Sequence, residues 1–198
     1  MRLLPGTRLV IATHNPGKLA EFAAFLAPYG IEAISAGALG LPEPAETATD
    51  FAGNARIKAC AAASAAGLPS IADDSGLSIA GMGNAPGIHS ARFARERGGF
   101  AQAMADILAQ LGENRRAWFT SCLCLAVPGD EPLFFAGECH GSIALEVRGT
   151  HGFGYDPIFI PDGSTLTFAE MGEAAKNAIS HRAVSFKLFQ AACLDQLR

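Results

Sequence analysis

Near the start of the chain a short β-branched run, Leu9-Val10-Ile11, is followed by Asn15-Pro16-Gly17 and then by apolar residues at Leu19, Phe22, Phe25 and Leu26. This spacing predicts a strand, a tight loop and a helix. Asn15 suits the N-cap and Pro16 the first helical position, where its missing N–H is no loss. The helix should end near residues 28–30. Residues 31–34 predict a second strand, and a Gly- and Pro-containing loop leads to a long Ala-rich helix from about 50 to 66, stopped by Gly67-Leu68-Pro69.

Residues 70–73 and 77–80 predict two short strands that flank an exposed Asp-Ser-Gly turn. Residues 100–111 are helical by spacing. The runs 118–127 and 133–147, rich in Phe, Cys, Leu and Val, are separated by Pro128-Gly129-Asp130-Glu131-Pro132 and predict an antiparallel pair, hence a mixed sheet. In the segment 180–197, Val184, Leu188, Ala191 and Leu194 share one helical face, with Ser180 as N-cap. There is no internal repeat, low-complexity tract or linker.

The 198 residues suffice for one large domain, or for two lobes sharing one sheet. With 15 Lys plus Arg against 19 Asp plus Glu, the net charge of -4 provides no broad basic footprint, so polymeric nucleic acid is a poor partner. No window has the length and apolarity of a bilayer span, and none reads as a signal peptide, so no membrane partner is expected. Cys60, Cys122, Cys124, Cys139 and Cys193 are odd in number and form no CxxC pair, which reads as reduced core thiols of a cytoplasmic protein.

Five segments carry candidate chemistry. Thr13-His14-Asn15-Pro16-Gly17-Lys18 stands where a strand feeds a helix, and helix-start N–H groups with a lysine ammonium suit a phosphate. It is not a P-loop, because Ala12 and Leu19 replace the required glycine and hydroxyl; taken alone, the segment also reads as an ordinary capped turn with a surface lysine. Ala72-Asp73-Asp74-Ser75-Gly76 places two carboxylates after an apolar strand, as a hard cation held by oxygen ligands requires, or as a solvated acidic turn. Glu46-Thr47 precedes the Ala-rich helix, in which Asn54 and Lys58 lie four residues apart and can reach one ligand, or form a solvated face.

Gly149-Thr150-His151-Gly152-Phe153-Gly154-Tyr155-Asp156-Pro157 can bring backbone amides and ring faces to a flat base, with Asp156 accepting from ring N–H groups, or can be a plain Gly-rich connection. Finally, Ala175-Lys176-Asn177-Ala178-Ile179-Ser180-His181-Arg182 gathers three donors at a helix start, a suitable set for an anion or a keto oxygen.

With all five in this order, the sequence resembles the inosine triphosphate pyrophosphatase family over residues 9–197. The most specific pieces are Ala72-Asp73-Asp74-Ser75-Gly76-Leu77, Pro86-Gly87-Ile88-His89-Ser90-Ala91-Arg92, Gly152-Phe153-Gly154-Tyr155-Asp156-Pro157 and Ile179-Ser180-His181-Arg182. The resemblance implies an elongated α/β protein, a mixed sheet flanked by helices with two lobes around a central cleft. It also implies a homodimer that converts ITP, dITP and XTP to the monophosphate and pyrophosphate, keeping them out of nucleic acids. Thr13, His14, Asn15, Pro16, Gly17, Lys18 and Lys58 would hold phosphates. Glu46 and Asp74 would hold Mg²⁺, Asp74 would also accept a proton from the attacking water, and Ser75 would contact the substrate. Phe153, Gly154, Tyr155, Asp156, Lys176, His181 and Arg182 would form the base pocket.

His14 stands where this family often has a smaller residue, and the segment 95–99 is shorter and more basic than the family pattern. Two rival functions are a related pyrophosphatase acting on pyrimidine or modified nucleotides, which a substrate panel distinguishes, and a non-catalytic nucleotide sensor. The sensor would not need the Asp73-Asp74 pair. A cysteine hydrolase is disfavoured, since no cysteine stands beside a plausible base in a glycine-defined turn.

Overall fold

The strand expected first is β1, Arg8–Ile11, which buries Leu9, Val10 and Ile11. The chain then enters α1, Pro16–Leu26, with Asn15 as its N-cap: Oδ1 accepts from Gly17 N at 2.9 Å and Lys18 N at 3.2 Å. A short 3₁₀ turn ending at left-handed Gly30 leads to β2, Glu32–Ser35. The computed structural model describes residues 2–194, so the end of the predicted C-terminal segment, including Leu197, lies outside the described residues.

The Ala-rich helix is α2, Phe51–Ala66, capped by Asp50 and ended by left-handed Gly67. Its inward face carries Ala55, Ala59, Ala62 and Ala63 against Val10, Ala12, Ala72 and Cys124. Alanine, the best helix former, also keeps the helix close to the sheet. The remaining elements are β3 (Ser70–Ile79), α3 (Ser90–Glu96), α4 (Phe100–Gln110), β4 (Arg116–Ala126), β5 (Leu133–Ile143), β6 (Phe159–Pro161), α5 (Glu173–Ile179) and α6 (His181–Cys193).

Among the described residues six strands form one sheet in the order β2-β1-β3-β4-β5-β6. β1 runs parallel to β2 and β3, whereas β5 and β6 are antiparallel. Thr120 meets Glu138 and Arg115 meets Ile143, so residue numbers fall on β4 as they rise on β5, which marks an antiparallel pair. The fold is therefore α/β with a mixed sheet, as expected.

The chain divides into two compact units. The first comprises the residues up to Asp74, Ser121–Ala136 and those from Ser185 onward; the second comprises Ser75–Thr120 and Gly137–Val184. Leu9, Ile11, Phe22, Leu123, Phe186 and Phe189 centre the first, and Leu77, Ile107, Phe119, Ile158, Phe159 and Phe168 the second. No helix of the described residues is long and apolar enough to cross a membrane.

Three local expectations fail. The exposed Asp-Ser-Gly turn is instead the interior of β3, in which every residue except Ser75 is buried. Gly76 is required there by close approach: a Cβ would collide with the carbonyl of Gly87. In α6 the buried face is Arg182, Phe186, Phe189 and Cys193, whereas Leu188 is 50% exposed, because the two phenylalanines bury more apolar surface than the predicted stripe. The last predicted strand stops at Ile143, leaving Leu145 and Val147 exposed.

Candidate active site

In the first unit, α2 presents Asn54 and Lys58 one turn apart, both buried, so they are not a solvated face. The Lys58 ammonium lies 2.8 Å from Glu46 Oε1 and 2.8 Å from Asp74 Oδ1, and donates to the Asp73 carbonyl at 3.0 Å. These three acceptors match its three N–H donors. Burial alone would push the Lys58 pKa down, but the attraction of Asp74 and hydrogen bonds to Asp74 and Glu46 outweigh it and hold it above its ordinary value.

The two carboxylates diverge. Burial raises Asp74, and the attraction of Lys58 and Lys18 does not fully offset it, while Glu46 nearby adds to the rise. Glu46 is less buried, so although desolvation raises it, the hydrogen bond and charge of Lys58 prevail and its pKa falls below the usual value. Paired groups whose environments push their pKa values apart are a pattern found in acid–base sites.

Asp73 points elsewhere, as alternation along β3 dictates. Its Oδ2 lies 2.8 Å from the Lys18 ammonium, and its Oδ1 accepts from Ser121 Oγ at 2.7 Å. Ser121 in turn meets Ser185 Oγ at 2.9 Å. Both lysines also donate to the Asp73 carbonyl. The structure thus brings Lys18, Lys58, Glu46 and Asp74 together in one unit.

The rest of the first loop is held by local hydrogen bonds, the expected Asn15 cap among them. The Gly17 and Lys18 amides are taken by the Asn15 cap, and Asn15 N donates to Thr13 Oγ1 at 3.1 Å. Pro16 and His14 are exposed. His14 Nε2 is 3.2 Å from the Leu41 carbonyl and Nδ1 is 4.0 Å from Glu43, so His14 faces the segment that leads to Glu46.

In the second unit the Gly-rich loop is organised from within. Asp156, 3% exposed, accepts from Phe153 N at 2.8 Å and from the Lys176 ammonium at 2.7 Å. Gly152 is left-handed, and a Cβ there would strike the Asp156 carboxylate. Asp156 Oδ2 therefore shapes the loop. Tyr155 is buried and donates to the Ser90 carbonyl at 2.9 Å, while Gly154 and Phe153 remain half-buried. Lys176 lies 4.6 Å and Arg182 5.8 Å from the Phe153 ring centroid. Arg182 also donates to Ser75 Oγ at 3.1 Å, and the His181 ring stacks on Phe119 at 4.7 Å. The structure thus gathers Phe153, Asp156, Lys176 and Arg182, with Arg182 also holding Ser75.

Sequence reasoning assigned no role to Ser121, Ser185 or Phe119, and offered Asp73 only as a second carboxylate beside Asp74, whereas it pairs with Lys18 and Ser121. The available signal was Ser121 inside the apolar run of β4, where a buried hydroxyl demands a partner. All five cysteines are free thiols. Burial pushes Cys122 and Cys139 up to about 11 and Cys124 up to about 12, which leaves these thiols neutral and poor nucleophiles.

The model of the Ham1 family matches residues 9–192, nearly the whole chain. The chain belongs to the Ham1 family. Among its relatives, a protein of Gluconobacter oxydans named dITP/XTP pyrophosphatase is 50% identical over 196 residues, covering 98% of this chain and 94% of the relative. One of Caulobacter vibrioides with the same name is 50% identical over 194 residues, covering 96% and 100%. The solved structure of a HAM1 protein from Coxiella burnetii superposes with a TM-score of 0.85 at 38% identity, covering 94% of this chain and 98% of that one. Ham1 membership thus rests on both sequence and fold.

Proposed function

We propose that this Ham1-family chain is a Mg²⁺-dependent pyrophosphatase that hydrolyses dITP, ITP and XTP to the monophosphate and pyrophosphate. The observation that carries the reading is the convergence of Glu46 and Asp74 on Lys58, with Lys18 beside them. The names of the Gluconobacter and Caulobacter relatives support the substrate class.

Mg²⁺ fits this donor set. No group of three or more His, Cys, Asp or Glu able to hold a metal ion occurs among the described residues, and Mg²⁺ commonly takes one or two carboxylates with waters and substrate phosphates completing its shell. Glu46 and Asp74 would supply those carboxylates. When bound, the ion neutralises phosphate charge and helps to orient the displacement.

The chain's own groups do the rest. Lys18 and Lys58 present positive charge to the triphosphate. Asp74, whose pKa burial raises, accepts the proton of the attacking water. Asp156 fixes the Gly-rich loop so that the Phe153 ring can stack on the base, and Lys176, His181 and Arg182 supply donors to its keto oxygen. The whole chain works as one catalytic domain, and the active form is a cytoplasmic homodimer.

The test incubates purified protein with dITP, ITP, XTP, ATP and GTP, with and without Mg²⁺, and resolves pyrophosphate from orthophosphate. Pyrophosphate released from the first three only when Mg²⁺ is present is the expected result; orthophosphate as the product, or unchanged rates in a chelator, would overturn it. Light scattering reads the homodimer, a monomeric mass counting against it.

Lys18→Ala should raise KM for the triphosphate, most clearly at low salt, where charge on a phosphate is least screened. It should also lower the melting temperature, since it removes a cation from the buried Asp73 carboxylate, and breaking such a pair costs about 3–5 kcal/mol. An unchanged KM at low salt would reduce the loop to a structural role.

A further inference from the structure

Glu46 lies in the segment 41–48, which has no regular secondary structure. A carboxylate on such a strap is useful to a metal only if something sets its position against Asp74. The segment is tied at one end by Leu41, whose N–H donates to the Ala36 carbonyl and whose carbonyl faces His14. At the other end Ala48 N donates to Asn54 Oδ1 at 3.0 Å. The same side chain donates through Nδ2 to Asp74 Oδ2 at 3.3 Å.

An amide has one acceptor end and one donor end, and both are committed here. The backbone N–H of Ala48 requires the oxygen, so the nitrogen must face the carboxylate. Asn54 is 3% exposed on α2, and its neighbour one turn on, Lys58, holds Glu46 and Asp74 by charge.

We infer that Asn54 is a positioning residue, a buried amide clamp that couples the strap bearing Glu46 to Asp74 and so sets the spacing of the two proposed metal ligands. It acts through those groups and not by touching substrate. This rests on the Mg²⁺-dependent reading above. Lys58 supplies attraction without direction, since an ammonium accepts many geometries; the planar amide supplies the direction. Asp and Lys cannot replace it, because one lacks the donor and the other the acceptor.

The test uses Asn54→Leu, similar in volume but without either hydrogen bond, and Asn54→Ser, which is small enough to be accommodated but too short to span both partners. Backbone hydrogen exchange over residues 45–49 in the substrate-free protein should quicken at least roughly tenfold in both, as the loss of a tether predicts. The Mg²⁺ concentration for half-maximal dITP hydrolysis should rise about 10–100-fold, the usual effect of removing a group that orients a ligand. kcat should fall while KM for dITP changes little. Exchange at the parent rate, or a raised KM with an unmoved Mg²⁺ midpoint, would overturn the clamp; the second pattern is that of a direct substrate contact. The exchange readout needs no activity, so it stands apart from the assay of the parent protein that tests the pyrophosphatase reading.

Discussion

Asp74→Asn is expected to lower the turnover of dITP by about 10²–10⁴-fold, the usual range for losing a general base. The substitution keeps the size of the side chain and removes its charge and proton affinity. Asp74 Oδ1 lies against the Lys58 ammonium at 2.8 Å and Oδ2 accepts from the Asn54 amide at 3.3 Å. An asparagine at 74 can direct its oxygen to only one of these donors. Facing Lys58, it leaves its own NH₂ against that of Asn54, which cannot turn because its oxygen holds Ala48 N.

A buried donor without an acceptor costs about 1–3 kcal/mol, so the variant should also melt several degrees lower. Circular dichroism and a thermal melt establish that it folds, and turnover is then measured at saturating dITP and Mg²⁺. A folded Asp74→Asn protein with turnover within a few-fold of the parent would remove Asp74 from the proton-accepting role and leave it a ligand or structural acid.

The parts of the site written in local chemistry were legible in the sequence. Asn15 as N-cap, Pro16 at the first helical turn, Asp50 and Gly67 at the ends of α2, and Ser180 at the start of α6 follow from nearest-neighbour hydrogen bonding, and the structure has each. The pairing of Asn54 with Lys58 was legible as helical spacing. Its target was not, because Asp74 lies 20 and 16 residues further on.

β3 misled for the same reason. Asp-Asp-Ser-Gly has the composition of a turn, and it becomes strand interior only because Lys18, Lys58 and Ser121, distant in sequence, satisfy the two carboxylates. The buried face of α6 was ambiguous too. Two stripes carry apolar residues, and which one is covered depends on where the sheet lies. Asp156 shows the converse: its acid was recognisable, but its hold on the Phe153 amide and Lys176, which shapes the loop, was not.

ITP and XTP should be hydrolysed at least on the order of a hundredfold more efficiently than ATP. Hypoxanthine and xanthine present a keto oxygen where adenine carries an amino group, and the side chains of the second unit proposed to recognise the base are donors: Lys176, His181 and Arg182. Lys176 and Arg182 both lie over the Phe153 ring, at 4.6 and 5.8 Å from its centroid, so the two cations and the ring are gathered in one place. An amino group facing such a donor forgoes the hydrogen bond that a keto oxygen would accept, and each such loss costs about 1–3 kcal/mol, so two give the stated ratio. Guanine keeps the keto oxygen, which is why the contrast is with ATP.

Arg182 is the better probe of the two cations, because Lys176 is pinned to Asp156 at 2.7 Å and its removal would disturb the loop. Since Arg182 is 1% exposed, Arg182→Met, which keeps most of the volume, is preferred to alanine. It should narrow the ITP-to-ATP ratio of kcat/KM about tenfold or more. Phe153→Ala should instead weaken every purine triphosphate alike, by about 1–3 kcal/mol if the ring stacks on the base, and leave the ratio intact. Equal efficiencies for ITP and ATP in the parent would sink the donor-cluster account outright. A ratio unmoved by Arg182→Met in a protein that still melts cooperatively would shift the discriminating donor to Lys176 or His181.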